Sequence, residues 1–204
     1  MGSFRHSFDV VTTVDPFFCA LFLIFSFILA GTAQTVWFRC RFSLKFSVPL
    51  DLGLTCRGRR IFGENKTVRG FVIMLPASAG SFFILGLIAA HQPNIYTRIW
   101  PLPPSAFAFL GLCAGLGFMI GELPNSFLKR QLDIKPGEAP RHIAARVLFF
   151  IMDRFDSIIG MLLAVSLLVP TPWQTWLYLA IIGPGIHWFF SVILYWCGVK
   201  GRPA

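Results

Sequence analysis

DRFDSIIGMLLAVSLLV, Asp153 to Val169, opens with two carboxylates and a guanidinium and then continues as hydrocarbon. Asp153 and Asp156 are one helical turn apart and share a face that Gly160 and Ala164 extend. The small residues above the acids aim that face at neighbouring helices rather than at lipid. Acids at the rim of an apolar segment are costly unless they are paired, hydrated or bound to a cation.

The surrounding chain has the same character. Of 204 residues, 55% are hydrophobic and only 13% charged, which excludes an ordinary water-soluble domain. A bilayer core about 30 Å thick needs roughly 20 apolar residues per helix, giving room for about five spans. They fall near Pro16 to Phe38, Gly70 to His91, Pro104 to Ile120, Val147 to Val169 and Trp173 to Gly198. The expected fold is all-α: a polytopic transmembrane helical bundle forming a single integral-membrane domain over residues 1–204, with two basic loops. The first span is read as a retained helix rather than a cleaved signal, because its apolar run passes the small residues at Ala30 to Ala33 and leads into a basic segment.

The net charge is +9. Arg39, Arg41, Lys45, Arg57, Arg59, Arg60, Lys66 and Arg69 form one basic segment, and Lys129, Arg130, Lys135, Arg141 and Arg146 a second. With this span order both fall on one side together with Lys200 and Arg202, and the positive-inside rule makes that side cytoplasmic, with the N-terminus outside. The expected location is a cell membrane, with the active site facing the cytoplasm. Positive charge confined to loops between apolar helices argues against a nucleic-acid partner, and contact with anionic headgroups accounts for Arg39, Arg41, Lys45 and Arg98. The five cysteines are scattered without metal-ligand spacing.

Gly111 and Gly115, then Gly117 and Gly121, stand at spacings that let helices approach closely, within the chain or across a homodimer seam. The segment Gly183 to Gly185, GPG, is expected to kink the last span.

Two readings fit the acidic pair: neutralisation by Arg154 or a loop cation, or a site for a hard, oxygen-seeking cation such as Mg2+ completed by substrate phosphates. Cations for such phosphates stand near in sequence. GELPNSFLKRQLDIKPGE, Gly121 to Glu138, brings Ser126, Lys129 and Arg130; GRRIFGENKTVRG, Gly58 to Gly70, brings Arg59, Arg60, Lys66, Thr67 and Arg69. Acids beside two cationic segments fit phosphate clamps around a metal. Neither GxxxxGK(S/T) nor GxGxxG is present, which argues against a P-loop or Rossmann site.

These blocks carry a resemblance. PLDLG at Pro49 to Gly53 followed by GRRIFGENKTVRG, then GELPNSFLKRQLDIKPGE, then DRFD at Asp153 to Asp156, then the tail HWFFSVILYWCGVKGRP from His187, are similar in kind and order to the CDP-archaeol synthase family, CTP-dependent cytidylyltransferases related to CDP-diacylglycerol synthases. Two positions depart from the family pattern: Glu122 stands where aspartate is common, and Ser191 replaces an asparagine. The resemblance implies five transmembrane helices, a cytoplasm-facing site, CTP as donor, a membrane lipid phosphate as acceptor and Mg2+ as cofactor. Under it, Asp153 and Asp156 are the expected metal ligands, with Lys129 and Arg130 catalytic beside them. Arg60, Asn65, Lys66, Thr67, Arg69 and Ser126 are the expected substrate-binding residues.

Two alternatives stay open. A phosphatidate cytidylyltransferase (CDP-diacylglycerol synthase) has the same headgroup chemistry on acyl-ester tails. A small cation- or proton-coupled transporter would use the acids as a relay, and predicts charges at the bilayer midplane with paired broken helices.

Overall fold

The computed structural model describes residues 14–135, 138, 140 and 142–198. Long helices dominate: α1 (Pro16–Arg39), α2 (Val68–Ala90), α4 (Pro104–Gln131), α5 (Ile143–Leu168) and α6 (Trp173–Trp196), with a short α3 (Pro93–Tyr96). A 3-10 turn (Arg41–Phe46) and a two-stranded hairpin, β1 (Thr55–Cys56) and β2 (Arg59–Arg60), fill the link between α1 and α2. Prolines mark the starts, where a missing N–H costs nothing: Pro16 opens α1, Pro104 opens α4, and Pro172 precedes α6. At α1 the Asp15 carboxylate also caps the helix, accepting from Phe17 N at 2.9 Å and Phe18 N at 3.4 Å.

The helices pack as a closed ring, α1 against α2, α2 against α4, α4 against α5, α5 against α6 and α6 back against α1. Backbone proximity on both sides of α4 comes from glycine. A Cβ at Gly111 would strike the Ser78 carbonyl of α2, and one at Gly115 would strike the Ser78 hydroxyl. Gly117 and Gly121 lie equally close to the backbone of α5 at Gly160 and Asp156. All four glycines are thus occupied by neighbours in the same chain, leaving none to build a dimer seam. Phe82, Trp100, Phe107 and Leu23 fill the core, and Trp100 Nε1 donates to the Pro170 carbonyl at 2.8 Å.

The outer surface is hydrocarbon. Leu167 is 86% exposed, Trp196 79% and Ile181 68%, a pattern that would aggregate in water and suits a lipid environment. By length and composition α1, α2, α4 and α6 qualify as membrane-crossing helices. The fifth long helix, α5, has the length to cross but carries Arg146, Asp153, Arg154 and Asp156.

The helix bounds correct the sequence-based spans. The apolar pattern ends the third span at Ile120 and implies a loop from Gly121 to Arg146; instead α4 runs on to Gln131 and α5 begins at Ile143. The extension on α5, IAARVLFFIM, is rich in residues that favour helix and supplies no stop signal. Asp153 is therefore about ten residues, roughly 15 Å, inside α5 rather than in its first turn. Pro184 lies inside a continuous α6. The tail beyond Gly198, with Lys200 and Arg202, and Pro136, Gly137 and Arg141 lie outside the described residues.

Candidate active site

The link between α1 and α2 is built around one buried carboxylate. Asp51 accepts from Gly53 N at 3.1 Å, Phe62 N at 3.0 Å and Gly63 N at 2.9 Å, and it is paired with the Arg60 guanidinium. The Arg60 hydrogen bond foremost, and then the backbone donors, hold the Asp51 carboxyl well below the usual carboxylate range, against the opposing effect of burial. Arg57 and Gly58 both have positive φ, 53° and 76°, the two-residue turn that joins β1 to β2 with the twist a hairpin prefers. Arg59 then ties the hairpin to the end of α4, donating to the Gln131 carbonyl and the Asp133 carboxylate. Leu50 N bonds the Lys66 carbonyl at 2.8 Å and Val68 N bonds the Val48 carbonyl at 2.9 Å, which fixes Lys66 at the entrance to α2.

Held in this way, Lys66 reaches across to α4 and pairs with Glu122. Burial works against its ammonium, but Glu122, with Asp156 and Asp153 beyond it, restores the charge and holds the Lys66 pKa above its ordinary value. Next along the same face of α4, Asn125 is buried and donates from Nδ2 to Asp153 Oδ1 at 2.7 Å and to Asp156 Oδ2 at 2.8 Å. One turn further, Lys129 pairs with Asp153 while its Nζ lies 5.5 Å from the centre of the Phe149 ring. Asp156 also accepts from Ser157 N at 2.7 Å.

Among the described residues the cluster holds three carboxylates and two ammonium groups. Glu122 and Asp153 each have a lysine; among the described residues Asp156 has no cation within ion-pair distance. A group of hard oxygen donors that includes a carboxylate with no described cation at ion-pair distance suits a divalent cation arriving with a polyphosphate, since Mg2+ is commonly held by one or two carboxylates and completed by phosphates and water. The Asn125 Oδ1, buried and without a hydrogen-bond partner, is a further oxygen of the same kind. By chemistry, the residues present fit the metal.

The structure sorts the expected site residues. Lys66, Lys129, Asp153 and Asp156 converge. Arg154 forms no ion pair with the acids, donating instead to the Phe150 carbonyl at 2.7 Å and stacking 3.3 Å over that residue's ring, and the cation that pairs with Asp153 is Lys129. Arg60 is committed to Asp51, and Arg130 to the Ile134 carbonyl at the end of α4. Arg69 turns toward α1, donating to Ser43 Oγ at 2.8 Å and to the Phe38 carbonyl. Ser126, although buried beside Asn125, donates to the Glu122 carbonyl of its own helix at 2.9 Å. Asn65 is exposed in the loop before Lys66, and Thr67 caps α2 by position without a side-chain bond. Glu122 and Asn125 are the members not assigned from sequence.

Comparison with known proteins gives the family and the fold. The CarS-like family, described as CDP-archaeol synthase, matches residues 20–203. A CDP-archaeol synthase of Methanoculleus marisnigri is 31% identical over 164 residues, covering 76% of this chain and 89% of the relative. One of Pyrococcus furiosus is 34% identical over 156 residues, covering 76% and 83%. A solved structure described as an intramembrane enzyme for archaeal membrane lipids biosynthesis superposes with a TM-score of 0.56 at 19% identity, over 90% of this chain and 96% of that one, so the fold is shared. With a family match over nearly its whole length, and relatives of that identity, the chain belongs to the CDP-archaeol synthase family.

Proposed function

We infer that this integral membrane protein transfers CMP from CTP to a membrane lipid phosphate, forming a CDP-lipid and pyrophosphate. Family membership supports the reaction, and the observation that carries its placement is the convergence of Lys66, Glu122, Asn125, Lys129, Asp153 and Asp156. Both reactants are anionic, so the barrier is dominated by charge and alignment. The two lysines neutralise phosphate oxygens as the lipid phosphate oxygen bonds to the α-phosphorus of CTP and the bond to pyrophosphate breaks. Glu122 keeps Lys66 extended, and Asn125 holds the two aspartates in register. Asp153 and Asp156, with the Asn125 amide oxygen, would hold Mg2+, whose charge when bound offsets that of the triphosphate. No side chain need act as base, because a phosphate monoester is already ionised near neutral pH.

The acceptor we propose is an isoprenoid-ether lipid phosphate, as the relatives' name implies, rather than an acyl ester. All five long helices cross the membrane as one domain, with the end bearing Arg39, Arg59 and Lys129 in the cytoplasm. Purified protein given Mg2+, labelled CTP and a panel of ether and ester lipid phosphates should release pyrophosphate and label the ether lipid. Asp153→Asn and Asp156→Asn should each lower that rate by about a hundredfold or more, the scale of losing one charge-stabilising group. A double variant as active as the parent refutes the assignment.

A further inference from the structure

The basic end of the molecule holds a cavity that shares no residue with the carboxylate cluster. About 380 Å³ in volume, it lies among Phe38, Arg39, Arg41, Leu44, Arg69 and Cys197, where the C-terminal ends of α1 and α6 meet the start of α2. Arg69 is set in place by Ser43 and the Phe38 carbonyl and lies 4.7 Å over the Phe38 ring. Among the described residues, Arg39 and Arg41 form no ion pair. Three guanidinium groups line this hollow, none of them paired with a carboxylate among the described residues, and their planar donors suit phosphate.

Below it in the same seam is a cavity of different chemistry. Helices α1 and α6 run parallel: Phe17 meets Tyr178 edge to face at 5.9 Å, Thr175 Oγ1 donates to the Pro16 carbonyl at 3.1 Å, and Gly31 packs on Phe190 further along. Between them a groove of about 360 Å³ is walled by Ile28, Ile182, Gly185, Ile186, Phe189 and Phe190. From Arg39 down to Ile28 the rise along α1 is about 16 Å. Half the hydrocarbon thickness of a bilayer is about 15 Å. An anion cavity at the surface and an apolar groove one hydrocarbon half-thickness beneath it, along one helix seam, have the proportions of a single lipid.

We propose that the α1–α6 seam binds a phosphate-bearing membrane lipid, with its headgroup between Arg39, Arg41 and Arg69 and a chain in the groove at Gly185. This site is separate from the carboxylate cluster and stands whether or not the transfer reaction does. Arg69, which does not join the cluster, meets Cys197 and Gly198 here.

The probe is phosphatidylglycerol, a phosphodiester with no terminal phosphate able to accept CMP. Its binding to the full-length protein in detergent is counted and titrated by native mass spectrometry, with CTP affinity measured in parallel. Arg39→Gln/Arg41→Gln should weaken one bound lipid by about tenfold or more. Gly185→Leu, placed where an added Cβ has no atom within 4 Å, should do the same without altering charge. Lys45→Gln, an equally basic exposed residue stacked on Phe42 outside the cavity, should leave binding within about twofold. CTP affinity should be unchanged throughout. The proposal is overturned if Lys45→Gln weakens binding as much as the arginine pair, which would mean diffuse surface attraction, or if Gly185→Leu has no effect. It is overturned also if millimolar inorganic phosphate displaces the lipid, which would mean an anion cavity with no role for the chain.

Discussion

Asn125 occupies the centre of the site, one amide bonded to two carboxylates on the facing helix. Its role follows from the acid pair: Asp153 and Asp156 repel, and a shared neutral donor holds them at fixed separation without cancelling the charge a cation needs. Asn125→Leu keeps the volume and removes the donor that Asp153 and Asp156 share, leaving Asp153 with Lys129 and Asp156 with the Ser157 N–H alone. The expected outcome is a rise in the Mg2+ concentration needed for half-maximal transfer, with smaller change in the CTP requirement; an unchanged Mg2+ dependence would remove Asn125 from the site. The residue is within reach of the sequence. Glu122, Asn125, Ser126 and Lys129 follow a helical spacing inside GELPNSFLKR, but the polar and proline residues of that segment resemble a loop, which hides the period that reveals a common face. Glu122 and its lysine partner are 56 residues apart, and no local pattern joins them.

The loop between α1 and α2 behaves as an element in its own right, although its hairpin has only two residues per strand. Its organiser is Asp51, whose carboxylate substitutes for a core. Because the folded-state pKa of Asp51 lies below its unfolded value, its contribution is complete above the unfolded pKa of about 4 and is lost as pH falls from there toward the folded value. Asp51→Asn should destabilise the loop at neutral pH by about 1–3 kcal/mol. Hydrogen exchange at Gly53, Phe62 and Gly63 is the measurement, and the parent protein should reproduce the faster exchange only in acid. Existence and order of the long helices are legible from apolar runs and prolines. Their ends are not, because IAARVLFF and LPNSFLKR contain polar residues that look like loop yet favour helix.

At the scale of the whole molecule, the basic segments share one end of the ring and the link containing α3 lies at the other, joined to the start of α1 by the bond from Asp15 N to the Arg98 carbonyl at 2.8 Å. This polarity makes a topological prediction. With the other cysteines replaced by alanine, exposed Cys40 should react with a membrane-impermeant maleimide only from the cytoplasmic side, and a cysteine placed at exposed Thr97 only from outside. Labelling of both from one side would disprove the arrangement. Charge counting alone implies this sidedness, since the asymmetry of lysine and arginine is a global property that small errors in helix ends do not disturb.

The glycine contacts on α4 carry a consequence for chemistry. Asn125 and Lys129 stand on one helix, Asp153 and Asp156 on another, and the backbones between them meet at Gly117, Gly121 and Gly160. A single methyl at any of these would act as a shim, prising the donors from the acceptors by a fraction of an ångström at every turn up to the reaction centre. The spacing between the two polar faces is therefore set by the bare Cα hydrogens of three glycines.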